Sequence, residues 1–167
     1  MKSYRGAIGV SLAISLYIYV IYRTDKTLVN QLIIALVSWE KYAALKAEIR
    51  ALFPLADWII YSLPEGLWIF CITLSSHYFF LEIKGSRLNL SLLPILLAVT
   101  MELFQLVHLS NGRFDWMDLL ISFTFWLFAL FVTRMNLEKQ ALFRTWNQAS
   151  YTCIFSYAIV YLAHVIR

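Results

Sequence analysis

The residues best suited to chemistry lie close together, between positions 102 and 122. Glu102 and Gln105 are spaced i, i+3, and His108 continues that face three residues on. Asp115, Asp118 and Ser122 follow at i, i+3, i+7, again one helical face. Arg113 stands in the turn between the two stretches. If both stretches are helices joined as a tight hairpin, the two faces meet. Carboxylates, a guanidinium, an amide and an imidazole then share one polar cluster. Acids crowded at low dielectric cannot all be ionised, which is the condition that general acid–base catalysis exploits.

Plainer roles compete at several of these positions. Asp115 and Asp118 have the D-x-x-D spacing of a helix N-cap and its third position, where acids also favour the helix dipole. Arg113 then simply pairs with one of them. Glu102 has no such explanation, because no cap is needed inside its helix, and an unpaired carboxylate in an apolar run is costly. Ser62-Leu63-Pro64-Glu65 has the S-x-x-E spacing of a capping box, which explains Glu65 structurally and leaves it a secondary candidate. His77 and His164 sit in apolar runs without metal-ligand spacing, and Cys71 and Cys153 have no CxxC partner. No HExxH, GxSxG, Walker loop or GxGxxG occurs. The sequence therefore implies neither a metal nor a cofactor.

These residues must be positioned within a chain of 167 residues that is 61% hydrophobic and only 14% charged. A soluble domain of this size cannot hide that much apolar surface. Composition excludes intrinsic disorder and a disulfide-stapled secreted domain. The net charge of +4 is scattered between apolar runs, so it argues for lipid headgroups and orientation and against nucleic acid. The expected fold is all-α, an integral membrane helical bundle forming a single transmembrane domain over 1–167. About five spans are expected, at 6–22, 65–81, 88–109, 115–133 and 151–166. An amphipathic helix over 28–53 is expected to lie in the interface, with Tyr42, Leu45, Ile49 and Leu52 on its apolar stripe. Tyr17, Tyr19, Tyr22, Trp58, Tyr61, Trp116 and Tyr151 fit interfacial belts. Lys and Arg divide evenly between the two sides, but the short loops favour an inside amino terminus, with the Ser110-Asn111-Gly112 turn outside.

The hairpin MELFQLVHLSNGRFDWMDLL resembles the signature of the VanZ-like family, small bacterial multispan membrane proteins with E-x-x-Q, a short turn, then R-x-x-D-x-x-D. Glu102, Gln105, Arg113, Asp115 and Asp118 occupy the matching positions, with one residue fewer between Arg113 and Asp115, and Asp57 matches an upstream acid loosely. The family takes its name from a member linked to teicoplanin resistance. The resemblance implies a multi-pass protein of the bacterial inner membrane, acting in envelope homeostasis or glycopeptide-type resistance, on a glycopeptide or a lipid-linked envelope precursor. Two other classes stand beside it. One is an intramembrane enzyme on a lipid-linked substrate, with Glu102 or Asp118 as acid/base. The other is a non-catalytic subunit that docks a partner membrane protein.

Overall fold

The computed structural model describes residues 2–23, 25, 28–83, 85–109, 113–133, 139–142 and 146–165; for 2, 3, 28 and 160–165 it describes the backbone alone. The Ser110-Asn111-Gly112 turn, and Arg134, Glu138 and Arg144 of the polar connection, lie outside these residues, as does the end of the expected last span at 166. The protein is mostly helical. Its helices are α1 (Lys2–Tyr22), α2 (Leu28–Val37), α3 (Trp39–Leu52), α4 (Asp57–Tyr61), α5 (Leu63–Ser76), α6 (Leu93–Leu106), α7 (Trp116–Val132) and α8 (Gln148–Val165). A small sheet is formed by β1 (Phe79–Ile83), β2 (Ser86–Asn89) and β3 (Gln140–Ala141).

Local chemistry sets most of the helix ends. Pro64 and Pro94 sit in the first turns of α5 and α6, where a missing N–H costs nothing. Pro54 stops α3, because it disfavours helical backbone at Phe53. Asp115 caps α7, its side chain accepting from the Met117 N–H at 2.8 Å.

The sheet is the main departure from an all-α expectation. Residues 79–81, assigned by hydropathy to the end of a span, leave the helix and open β1, whose residues 80–83 pair antiparallel with 86–89. Gly85, at φ 81°, supplies the left-handed residue of that turn. β1 then pairs in parallel with β3, Phe79 opposite Gln140. The apolar residues of FFLEI read to a hydropathy window as the end of a span, whereas the left-handed Gly85 and the return strand make it a hairpin.

Two further boundaries differ. The second apolar helix runs from Asp57 to Ser76 rather than over 65–81, and α6 is preceded by a 3₁₀ turn, Leu90–Leu92, so it is shorter than 88–109. The 28–53 stretch is two helices, broken at Ser38, whose φ is 78°. Of the expected apolar stripe, Tyr42 is buried while Leu45 and Leu52 are exposed, and Lys46 is buried beside Tyr42. Lys46 donates to the Arg23 carbonyl and pairs with Asp25, so it ties α3 to the end of α1.

α5 is the hub of the bundle, packing on α1, α6, α7 and α8. Nearly all of its side chains are buried, with Phe70, Cys71 and Leu74 meeting Ile8 of α1 and Ala129 of α7. Below it, Phe79, Tyr78, Leu90 and Cys153 close the sheet end. The outer helices behave differently. α6 buries only Pro94, Ala98 and Glu102, and α7 only Ser122 and Ala129. Their other faces expose Leu96, Leu103, Phe104, Leu127, Phe128 and Phe131. Two helices, Tyr4–Tyr22 and Asp57–Ser76, are long and apolar enough to cross a membrane; Leu90–Leu106 and Trp116–Val132 are apolar but shorter.

Candidate functional site

The site is built where three helices end together. α5 and α7 run in the same direction: Phe70 packs on Phe125 and Phe128, and His77 meets the backbone of Thr133 further along. Their N-termini therefore lie at one end, beside the C-terminal end of α6. Gly66 makes the close approach possible. A Cβ there would lie 2.6 Å from Ile121 Cγ2 and 2.6 Å from Phe125 Cδ2, so α5 meets α7 as bare backbone. Glu65 and Asp118, in the first turns of the two helices, are brought together as a result. Glu102 reaches them from the last turns of α6.

Carboxylate oxygens of Glu65, Glu102 and Asp118 all lie within 4.8 Å of one another. Glu102 is only 2% exposed, and its Oε2 accepts the Asp115 main-chain N–H at 3.1 Å. Ser122, fully buried, donates to Glu65 Oε1 at 3.5 Å. The Ser62 side chain lies within hydrogen-bonding reach of Asp118, whose Oδ1 is buried without a partner. Two helix N-termini add positive partial charge at this end. Even so, each ionised pair at this separation costs roughly 3–4 kcal/mol at an effective dielectric near 20. The cluster is therefore stable only with a proton or a cation shared among its oxygens. Three carboxylates from three helices form a donor set that a hard divalent cation accepts, and the same set can pass a proton.

A positive charge also lies near the cluster. Arg23, just past the end of α1, acts electrostatically on both Glu65 and Asp118. Its fork is held by the Ile60 carbonyl at 3.3 Å, the Tyr61 carbonyl at 2.6 Å and the Tyr19 hydroxyl at 2.5 Å. The guanidinium lies 4.5 Å from the centre of the Tyr19 ring, which packs in turn on Trp68.

Of the candidates read from sequence, Glu65, Glu102, Asp118 and Ser122 converge. Asp115 is the helix cap, as its spacing allowed, and its main chain rather than its carboxylate serves the cluster. The remaining four stand apart. Gln105 is half-buried and its side chain makes no hydrogen bond among the described residues. His108 is exposed at a positive φ of 58°, past the end of α6, so the helical face that carried it has ended. Arg113 is exposed and forms no ion pair among the described residues. Asp57 is exposed in the first turn of α4.

The capping box is not formed. Ser62 makes no side-chain cap hydrogen bond, because its backbone is already helical where α4 runs into α5. Glu65 is thus free to turn inward. Arg23 and Ser62 went unforeseen, since neither lies in the hairpin. The available signal was Pro64-Glu65-Gly66, an acid beside the one glycine of an apolar helix. No metal-ligand spacing exists in the sequence because the three carboxylates come from three separate helices.

No protein-family model, no curated protein and no solved structure matches this chain.

Proposed function

We infer that this chain is a multi-span membrane protein of the bacterial cell envelope whose working site is the Glu65–Glu102–Asp118 cluster. The single observation that carries the reading is the convergence of those carboxylates within 4.8 Å at one end of an apolar bundle. Such an arrangement is expensive to keep, and intramembrane acids of this kind mark proton, ion or substrate chemistry. The bilayer setting is supported by what the bundle leaves uncovered. Contiguous apolar patches on soluble monomers rarely exceed a few hundred Å², whereas α6 and α7 expose leucine and phenylalanine along most of their length. Exposed Trp58, Tyr61 and Trp116 at the acid end, and Trp146 and Tyr151 at the other, suit two interfacial belts.

The likeness of the hairpin to VanZ-like proteins directs this chemistry to the envelope: homeostasis, or resistance to a glycopeptide of the teicoplanin class. The test is complementation in a Gram-positive host. Expression should raise the teicoplanin inhibitory concentration or repair an envelope defect, and Glu102→Gln and Asp118→Asn should abolish the effect at unchanged membrane abundance. An effect that survives both substitutions removes the cluster from the function.

A second reading is favoured by Asp118 Oδ1, buried and without a hydrogen-bond partner. In that reading the protein is an enzyme on a lipid-linked envelope precursor. Asp118 or Glu102 acts as general acid/base, with the neighbouring carboxylate and Arg23 setting which of them holds the proton. Conversion of such a precursor by the purified chain, lost in Glu102→Gln, separates it from a docking role.

A further inference from the structure

α3 is joined to α1 by polar side chains one turn apart. Tyr42, Lys46 and Arg50 fall at i, i+4, i+8, one stripe of the helix. Each donates to the main chain at the end of α1. The Tyr42 hydroxyl bonds the Val20 carbonyl at 2.7 Å, Arg50 Nε bonds the Ile21 carbonyl at 2.7 Å, and Lys46 Nζ bonds the Arg23 carbonyl at 3.0 Å. A helix leaves its last four carbonyls without partners of its own, so the stripe supplies what the end of α1 lacks.

Lys46 is the costly member of the stripe. It is only 4% exposed, and lysine is almost never fully buried unless paired. Its partners are the Asp25 carboxylate and the Arg23 carbonyl. A methionine would bury a similar volume without desolvating a charge, but it could not bind that carbonyl. What the buried ammonium adds is a grip on the backbone of Arg23.

Arg23 is thus held twice. Its main chain is held from α3, and its side chain by the Ile60 and Tyr61 carbonyls at the end of α4 and by the Tyr19 hydroxyl. Glu65 stands four residues past Tyr61. Arg23, not Lys46, is the cation that acts on both Glu65 and Asp118. α3 therefore grips the very residue whose charge the acids feel.

We propose that α3 is a strap on the acid cluster, in which Lys46 is a positioning residue that keeps Arg23 within electrostatic reach of Glu65 and Asp118. The proposal rests on the reading of the cluster as the working site, and it gives that site its regulation. Release of α3 loosens Arg23 and leaves the acids with less counter-charge.

The test is a set of double-mutant cycles on the full chain, read by reversible denaturant unfolding in detergent. Glu65→Gln should favour folding about tenfold more in the Lys46→Met background than in the unaltered chain, because one carboxylate then needs no counter-charge. Lys46→Gln is the milder variant should Lys46→Met fail to fold. Lys46→Arg, which keeps a cation on the stripe, should abolish the difference. Tyr42→Phe cuts the neighbouring bond to Val20 and should leave the effect of Glu65→Gln as it is in the unaltered chain. In the Arg23→Ala background, Lys46→Met and Glu65→Gln should become additive. Additivity with Arg23 present, or equal coupling for Tyr42→Phe, means that Lys46 only anchors α3 and overturns the proposal. Coupling that survives Arg23→Ala overturns it as well. None of these measurements reads envelope function, so an additive cycle leaves the cluster as the working site. That reading fails instead if envelope function survives Glu102→Gln, whatever the cycles show.

Discussion

The main-chain N–H of Asp115 donates to Glu102 Oε2 at 3.1 Å, joining the last turns of α6 to the cap of α7. One carboxylate thus has two duties. It closes the hairpin through Oε2, and it faces Glu65 and Asp118 within the acid cluster. The two duties separate under substitution.

Glu102→Gln keeps an acceptor oxygen and removes the charge. The protein should fold with unchanged or higher thermal stability in detergent, since like-charge repulsion falls, while envelope function is lost. Glu102→Ala removes the acceptor and leaves a cavity, and should lower stability by about 1–3 kcal/mol. Thermal unfolding of the two variants side by side distinguishes charge from scaffold. Equal destabilisation would assign Glu102 a purely structural role.

Gly66→Ala places a methyl group 2.6 Å from Ile121 and Phe125, side chains wedged between α5 and α7. Overpacking of this kind typically costs about 1–3 kcal/mol. Because it also pushes Glu65 away from Asp118, function should fall alongside stability. Gly9→Ala is the control: a Cβ there meets nothing within 4 Å, and its unfolding midpoint should not drop.

Arg23→Ala removes donors from the Ile60 and Tyr61 carbonyls and a positive charge near the cluster. A loss of about 1.5–3 kcal/mol is expected for bonds from a charged donor. Glu65→Gln in the Arg23→Ala background should recover part of it, since one carboxylate then needs no counter-charge. Asp57→Asn, outside the cluster, should recover nothing. A double-mutant cycle with no coupling between Arg23 and Glu65 would remove Arg23 from the site.

His77, at the sheet end, is held below its ordinary value of 6.5, first by burial and then by Lys139. The folded state therefore binds its proton less readily than the unfolded chain does. The stability this contributes is complete above pH 6.5 and is lost as pH falls from there through the folded-state value. His77→Gln should flatten the acid side of a melting-temperature profile between about pH 7 and pH 5. An unchanged profile would show that other groups set the acid sensitivity.

Arg113 lies at the acid end of the bundle, and Lys139, bonded to Asn89, lies at the sheet end. With the amino terminus inside, Arg113→Cys should be labelled from outside whole cells by an impermeant reagent and Lys139→Cys only after permeabilisation. The reverse pattern would invert the orientation.

Part of the site was legible from local spacing. The i, i+3 and i+7 steps among Asp115, Asp118 and Ser122 identify one helix face, because helical geometry fixes which side chains share a side. Asp115 as cap followed from the same local logic. His108 and Arg113 did not join, because the helix ends before one and the other stays in the exposed connection. A periodicity continues on paper past the point where the backbone stops obeying it.

The sequence by itself determined a mostly helical, strongly apolar chain with its acids confined to few positions, and of the five spans expected from it two helices are long and apolar enough to cross a membrane. Those properties belong to residues and their near neighbours, and hydropathy and caps register them directly. Only the tertiary structure decided that Glu65 turns inward to Ser122 and Asp118, that Arg23 comes within electrostatic reach of both acids, and that residues 79–89 contribute a sheet hairpin. Each of these depends on a contact between distant segments. Gly66 has no side chain to announce it, yet the missing Cβ lets α5 and α7 touch and so brings the carboxylates together. Spacing along one helix cannot encode an approach between two.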